Sequence, residues 1–233
     1  TTETASTLKP EYAIVIHGGA GTIEKKDMDA ATEKLYLDAL NEALNIGETI
    51  LKNANCGLEI VDPSYFHTEK RWNSLQKILK EDEQKTELSE DEKGNKKHGT
   101  VGCVALDKAG NIVAGTSTGG MTNKRFNRLG DAPIIGAGTY ADNNTCGVSC
   151  TGHGEYFIRY TVARDIAALM EYKGVSLKEA CQYIIYEKLV QKGGEGGLVA
   201  IDKDGNIEMP FNSSGMYRGF AKDGKREVKI YKD

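Results

Sequence analysis

The sequence predicts an α/β protein whose β-sheets pack face to face beneath covering helices. Three observations carry that expectation. A short apolar, β-branched run at 12–16 (YAIVI) breaks at once into His17-Gly18-Gly19-Ala20-Gly21, as a buried strand does when it enters a glycine turn. Two similar hairpins stand far apart: one folds 101–106 onto 112–116 through 107–111 (DKAGN), and the other folds 198–201 onto Ile207 through 202–206 (DKDGN). Between those hairpins lie two stretches of helical periodicity that would cover the sheets.

The elements follow in order. Asp29 is the N-cap of a first helix on which Leu35, Leu37, Leu40, Ala43, Leu44 and Ile50 recur at helical spacing until 53–57 break the pattern. A second helix covers about 63–80, with Phe66, Trp72, Leu75, Ile78 and Leu79 as its apolar set. Residues 81–98 (EDEQKTELSEDEKGNKKH) contain one large aliphatic side chain, Leu88, which is too little apolar surface to order them, so a mobile linker is expected. The two hairpins then place sheet edges at both ends of the later half. Residues 155–172 carry Ile158, Val162, Ile166 and Leu169 on one helical face, and a helix over 177–191 begins after Ser176, whose partner Glu179 completes a capping box. Short strands near 216–221 and 227–231 close the chain.

Length and composition restrict the function. The 233 residues, 39% hydrophobic and 27% charged, suit one soluble domain. No apolar run approaches the roughly 18 to 20 residues of a membrane span, and TTETASTLKP lacks the basic and apolar blocks of a signal peptide, so no membrane partner is expected. The chain opens on Thr1 rather than Met, which leaves the compartment open: cytoplasmic, or periplasmic or secreted if a leader is removed. Net charge is -4, with 13 basic and 19 acidic groups in 1–99 against 17 and 15 in 100–233, which argues against a nucleic-acid surface. Cys146 and Cys150, in one strand, stand about 13 Å apart at ~3.3 Å per residue and cannot bridge. The other cysteines, Cys56, Cys103 and Cys181, form no Cys-x-x-Cys, and His17, His67, His98 and His153 are scattered, so no metal site is expected and the thiols read as small buried groups. Twenty of the 27 glycines follow residue 99, which concentrates tight backbone geometry there.

Four segments in that later part suggest chemistry. The expected linker runs directly into Gly99-Thr100 at the start of a strand. A cut there would expose Thr100 as an N-terminal nucleophile whose own α-amine, with a reference pKa of about 7.7 to 8.0, accepts the hydroxyl proton near neutrality. Gly99, lacking a Cβ, permits the strained peptide geometry that an N-to-O acyl shift needs. The hydroxyl-rich segment 115–123 (GTSTGGMTN) sets Thr118 just past the strand end that pairs near Thr100; its hydroxyl either meets Thr100 or satisfies loop amides. In 124–131 (KRFNRLGD), Arg128 and Asp131 either grip the carboxylate and ammonium of a free amino acid or form a surface ion pair with each other. Finally, the strand at 147–150 enters Thr151-Gly152-His153-Gly154-Glu155 and a helix, pointing backbone N–H groups and a positive helix end at an anion, as an oxyanion hole requires. His153 reads as a packing residue, since an N-terminal threonine needs no other base. The loop at 17–22 lacks the Gly-Lys-Ser/Thr ending of a phosphate loop.

Together these stretches resemble the plant-type asparaginase/isoaspartyl peptidase family of N-terminal-nucleophile hydrolases. The matching motifs are HGGAGTI at 17–23, VDPSYF at 61–66, HGTVGCVALD at 98–107, GNIVAGTSTGGMTNKR at 110–125, RLGDAPIIGAGTYADN at 128–143, VSCTGHGEYFIR at 148–159 and GGLVAIDKDGNIEMPFNSSGMYRG at 196–219. The resemblance implies a single four-layer αββα sandwich over 1–233. It also implies autocleavage between Gly99 and Thr100 into an α-chain (1–99) and a β-chain (100–233), and hydrolysis of L-asparagine and β-aspartyl dipeptides. Thr100 is then the nucleophile and Thr118 its hydrogen-bonded neighbour. Arg128 and Asp131 grip the substrate's α-carboxylate and α-amine, Thr151 and Gly152 are oxyanion donors, and Gly154 lies beside them. A homodimer of cleaved pairs is expected.

One departure is large. Between the first helix and Gly57, members of the family usually carry roughly eighty more residues, including sheet strands and a sodium-holding loop, where this chain has only Ala54, Asn55 and Cys56. Part of the sheet-forming segment is therefore expected to be missing, and no sodium or other cofactor is expected. The competing reading is a non-catalytic or poorly processed remnant of the family. Glycosylasparaginases resemble the chain less well, because they usually carry Asp before the nucleophile and differ after the GTST stretch.

Overall fold

Alternation along the strands sorts the buried side chains into three apolar layers. In β1 (Ala13–Gly21), Ala13 and Val15 face one way and Ile14 and Ile16 the other, the period of two that a strand buried on both faces requires. The computed structural model describes residues 10–53, 62–84, 99–120, 122–124 and 127–232. Its strands form two antiparallel sheets. One has the order β3-β2-β1-β8-β9, built from β2 (Thr100–Leu106), β3 (Ile112–Thr118), β8 (Gly215–Lys222) and β9 (Lys225–Tyr231) around β1; the other, β4-β5-β6-β7, contains β4 (Thr139–Ala141), β5 (Cys146–Gly152), β6 (Gly196–Asp202) and β7 (Ile207–Glu208).

The middle layer joins the sheets: Ala13, Val15, Val104, Leu106, Ile112 and Met216 from one meet Val199 and Ile201 from the other. Outside the first sheet, Ile14, Ile16 and Ala221 pack under Leu40 and Leu44 of α1 (Ala30–Asn53). Outside the second, Cys146, Val148, Cys150, Leu198 and Ala200 pack under α3 (Gly154–Arg159), α4 (Val162–Lys173) and α5 (Leu177–Gln182). Helix, sheet, sheet, helix is the expected αββα sandwich.

Local signals set most boundaries. Asp29 caps α1, its carboxylate accepting from Thr32 N at 2.8 Å and Thr32 Oγ1 at 2.9 Å. Gly47 brings α1 down on β1, since a Cβ there would overlap Ile14 Cδ1. The two matching hairpins use one device: Asp107 accepts from Asn111 N and Nδ2 at 2.8 and 2.9 Å, and Asp202 accepts from Asn206 N and Nδ2 at 2.8 and 2.8 Å. Strands β3 and β7 are the sheet edges these hairpins deliver. The capping box of Ser176 and Glu179 is present.

Four expectations need correction. Leu35 is 69% exposed because the buried stripe of α1 is narrower, running through Leu40 and Leu44 to Leu51. The second helix is a 3-10 turn (Pro63–Phe66) followed by α2 (Glu69–Gln84), so residues 81–84 are helical rather than linker, while 85–98 lie outside the described residues. Trp72 and Leu79 of α2 are exposed rather than buried. The stretch 155–172 is two helices, α3 and α4, because Thr161 takes φ 44° and ψ 49°, left-handed geometry that a β-branched residue rarely adopts. That break turns the first N–H groups of α4 onto the loop before β4: Arg164 N donates to Gly136 O at 2.8 Å and Ala163 N to Ala137 O at 3.2 Å. After α5 the helix widens into a π-helical stretch, Tyr183–Lys188, before a last turn, Leu189–Gln191. The width frees Ile185 O to accept from Asn212 Nδ2 at 3.1 Å; Asn212 also accepts from Gly196 N at 2.7 Å and donates to Gly194 O at 3.0 Å, tying the wide turn to the glycines of β6. Cys103, Cys146, Cys150 and Cys181 are free thiols; Cys56 lies outside the described residues.

Candidate active site

The face of β2 that carries Val104 and Leu106 into the inter-sheet core continues, two residues at a time, to Gly102 and Thr100. Opposite them on β3 stand Thr116 and Thr118, and across the gap on β5 stand Ser149 and Thr151. The middle layer is therefore apolar at one end of the sandwich and lined with hydroxyls at the other. Thr100 and Thr118 are directly paired, so Thr118 belongs to β3 rather than lying beyond it. Thr100, 8% exposed, donates from Oγ1 to Thr118 Oγ1 at 3.0 Å, and Thr118 Oγ1 also accepts from Gly120 N at 2.9 Å. Two incoming donors fix the Thr118 hydroxyl and leave the lone pairs of Thr100 Oγ1 available. Of the two readings of Thr118, the structure has both at once.

Gly99 is exposed and lies against α2: a Cβ there would overlap the Arg71 guanidinium, whose Nη1 donates to Thr122 Oγ1 at 3.4 Å. Thr151 is buried, and its Oγ1 accepts from Ala20 N at 3.3 Å, which leaves its own proton to donate. That contact depends on a bulge in β1 between His17 and Ala20, where Gly19 takes φ 103°. Gly152 (φ 145°) pairs with Gly196 (φ 156°) so closely that a Cβ on Gly152 would overlap the Gly196 Cα. The expected helix-end contribution beside it is small, because α3 has six residues and His153 N is already spent on Glu195 O at 2.9 Å. The His153 ring lies 6.3 Å from that of Tyr156, the packing role expected of it.

Arg128 and Asp131 do not pair with each other. Arg128 donates from Nε to Glu155 Oε1 at 2.6 Å, and its Nη2 lies 2.5 Å from the same oxygen in an ion pair. Asp131 is 8% exposed with Oδ2 buried and unpartnered, while its main-chain oxygen accepts from Ile134 N at 2.9 Å and Gly138 N at 3.2 Å. Burial pushes its pKa up to about 6, although the Asp131 backbone, Arg128 and Lys124 pull it down. Glu155 is likewise disfavoured as an anion by partial burial, but the Arg128 hydrogen bond, its own backbone and the charge of Arg128 together outweigh this and hold it below the usual range. A guanidinium held by a single carboxylate oxygen and a buried carboxylate with a vacant lone pair form complementary seats for an ammonium and a carboxylate. Among the described residues no cluster of histidine, cysteine and acidic groups could hold a metal ion.

Sequence reasoning missed Glu155, 27 residues from Arg128, because no local spacing links them. It also missed His17 and Ser149. His17 is buried behind Thr100, its Nε2 3.1 Å from Ser149 Oγ, and Ser149 Oγ lies 2.6 Å from Thr116 Oγ1. Burial pushes the His17 pKa down to about 3, against a smaller upward pull from the Thr100 backbone, so the ring is neutral at physiological pH.

A family described as asparaginase matches the chain over residues 53–230. An isoaspartyl peptidase of Escherichia coli (strain K12) is 54% identical over 172 residues, covering 72% of this chain and 53% of the relative. That of Salmonella typhimurium is 48% identical over 196 residues, covering 82% of this chain and 62% of the relative. An isoaspartyl peptidase/L-asparaginase of Mus musculus is 42% identical over 135 residues, 58% of this chain and 41% of the relative. The chain thus spans between about half and three fifths of the length of the two bacterial relatives.

Proposed function

The chain belongs to the asparaginase family, and from that premise we propose that it is an autoprocessing amidohydrolase acting on L-asparagine and β-aspartyl dipeptides. The observation that carries the proposal is the 3.0 Å hydrogen bond between Thr100 Oγ1 and Thr118 Oγ1, at a strand start immediately after an exposed glycine. In the first stage Thr100 Oγ1 attacks the Gly99 carbonyl carbon, the C–N bond breaks as its nitrogen takes a proton, and water hydrolyses the resulting ester. The products are residues 1–99, ending in a carboxylate, and 100–233, starting with a free Thr100 amine.

In the second stage that amine takes the Thr100 hydroxyl proton while Oγ1 attacks the substrate's side-chain carbonyl. Thr151 Oγ1–H and Gly152 N–H stabilise the oxyanion, and ammonia or an amino acid leaves with the returned proton. Water then frees aspartate and regenerates Thr100. Arg128 receives the α-carboxylate, sharing its fork with Glu155, and Asp131 receives the α-ammonium through its vacant Oδ2. All these groups belong to the chain itself. The working assembly proposed is a homodimer of the cleaved pairs. No helix among the described residues is long and apolar enough to cross a membrane.

A second reading, slow or incomplete processing, is favoured by one observation: Val101 and Val113, on the outer face of the strands that hold Thr100 and Thr118, are 54% and 63% exposed. A strand pair only partly covered on its outer side holds a strained junction less firmly. Intact mass followed over time tests both readings. Fragments 1–99 and 100–233 with asparagine turnover are expected, and Thr100→Ala should remain one chain. The same fragments from Thr100→Ala would refute the assignment, and an uncut, inactive wild type would favour the second reading.

A further inference from the structure

His17 has no part in the proposed reaction, yet the strand that carries it buries its ring directly behind the nucleophile. The surroundings are built for it. A Cβ at Gly102 would overlap both Ser149 Oγ and His17 Nε2, so the bridge between the two sheets passes over the one residue that leaves room for it. Ser149 Oγ lies 3.1 Å from Nε2 and 2.6 Å from Thr116 Oγ1, and Thr116 Oγ1 lies 3.2 Å from Gly138 O. The other ring nitrogen, Nδ1, is buried without a hydrogen bond in the uncut chain. His17 pairs with Gly102, two residues along β2 from Thr100, and the Thr100 backbone favours the protonated ring, as a nearby carbonyl does. A buried polar atom left this way calls for an explanation.

We propose that His17 is a positioning residue for Thr100: Ser149 donates to Nε2, which places the ring proton on Nδ1, and Nδ1–H closes onto the Thr100 main-chain carbonyl as the junction is cut. The inference rests on the reading of Thr100 as the nucleophile. The hydroxyl order is consistent throughout. Thr116 donates to Ser149 across their 2.6 Å contact, Ser149 donates to His17 at 3.1 Å in preference to Gly115 O at 3.3 Å, and His17 donates to Thr100, so each hydroxyl's one proton has a single acceptor. Holding the carbonyl on one side of the Thr100 Cα limits the rotation that would carry Oγ1 away from Thr118 and from the Gly99 carbonyl. The support acts during the cut and after it, because the Thr100 carbonyl survives cleavage.

The test uses the full chain and two independent readouts. Nitrogen NMR of the uncut Thr100→Ala variant should find His17 neutral and protonated at Nδ1; a ring protonated at Nε2 would overturn the proposal. Autocleavage rates of His17→Asn and His17→Gln, followed by intact mass, supply the second readout. Asn keeps a donor at the δ position, whereas Gln is closer to imidazole in volume and places its amide at the ε position. Positioning through Nδ1 therefore predicts that Asn cleaves faster than Gln, with Gln slowed roughly 2- to 10-fold, the range for losing one neutral hydrogen bond. A role in packing alone predicts the reverse order, following thermal stability, and that order would sink the idea. Thr100→Ala cleaving would refute the nucleophile assignment instead, wild type failing to cleave would favour the slow-processing reading, and in either case the tautomer would still decide the contact. Wild type cleaving with Gln equal to or faster than Asn would refute the role of His17 alone.

Discussion

A Cβ on Gly154 would stand 2.8 Å from Asp131 Oδ1 and 3.1 Å from the Asp131 main-chain nitrogen, so the first residue of α3 and the buried carboxylate fill adjoining space. Gly154→Ala should displace Asp131 from its seat. The expected result is a raised KM for L-asparagine with autocleavage at Gly99–Thr100 unchanged, since Asp131 takes no part in the cut. Equal slowing of both reactions, measured by steady-state kinetics and intact mass, would show instead that the substitution disturbs β5.

Asp131 must be ionised to hold an ammonium, and burial raises its pKa to about 6. KM should therefore rise as pH falls through that value, and the product Asp131→Asn should show weak binding with no such inflection. Stability moves the other way. A carboxyl whose folded pKa lies above its unfolded value of 3.8 binds its proton more tightly when folded, so this group opposes folding fully above about pH 6 and progressively less down to about pH 4. Asp131→Asn should stabilise the chain at pH 8 by up to about 3 kcal/mol, read as a shift in the urea midpoint, and by little near pH 4.

Arg128 and Asp131 predict a requirement for both charged ends of the substrate. α-Amidated asparagine and N-acetylated asparagine should be poor substrates, and Arg128→Ala should cost about 2 to 5 kcal/mol in kcat/KM, as for truncating one side of a buried charge pair. Hydrolysis of the amidated compound at the rate of asparagine would remove Arg128 from the site.

Thr118 keeps Thr100 Oγ1 in place through one neutral hydrogen bond, and such a bond contributes about 0.5 to 1.5 kcal/mol. Thr118→Val should slow both autocleavage and turnover by about that amount or more. Thr100→Ser should process and turn over slowly, because it keeps the hydroxyl and loses the methyl group that restricts χ1.

The exposed Val113 on the outer face of β3 predicts a contrast between neighbours. Val113 is 63% exposed and Val104 fully buried. Val113→Thr should change stability by no more than about 0.5 kcal/mol and reduce aggregation, whereas Val104→Ala should lose about 1 to 3 kcal/mol. A thermal transition above about 65 °C for the wild-type chain would contradict the view that this face weakens it.

What the sequence made legible were features written into a few adjacent residues: the Asp29 cap, the Ser176–Glu179 box, and the two Asp-to-Asn turns, the first of which places Thr118 opposite Thr100. The resemblance supplied the remaining site positions. What stayed hidden depends on distant partners. Nothing near Arg128 indicates that Glu155 will meet its guanidinium, and nothing near His17 indicates Ser149, 132 residues away. The break at Thr161 was equally hidden, because the apolar period of 155–172 continues through it; the helix bends where loop carbonyls at Gly136 and Ala137 offer its amides a better partner.

The wide turn at Tyr183–Lys188 makes the chain intolerant of length changes there. Each residue of an α-helix advances its side chains by about 100°, so deleting one residue to regularise that turn would swing Leu189, fully buried, out of the core on the helix side of the second sheet. The Ile185 carbonyl would return to the helix ladder, Asn212 would lose an acceptor, and the glycine run opposite Gly152 would lose part of its tether. Among the described residues the β8–β9 turn at Asp223 and Gly224 holds only one exposed contact, Glu11 N donating to Asp223 Oδ1 at 3.1 Å, so insertions should be accepted at that turn more readily than in the helix.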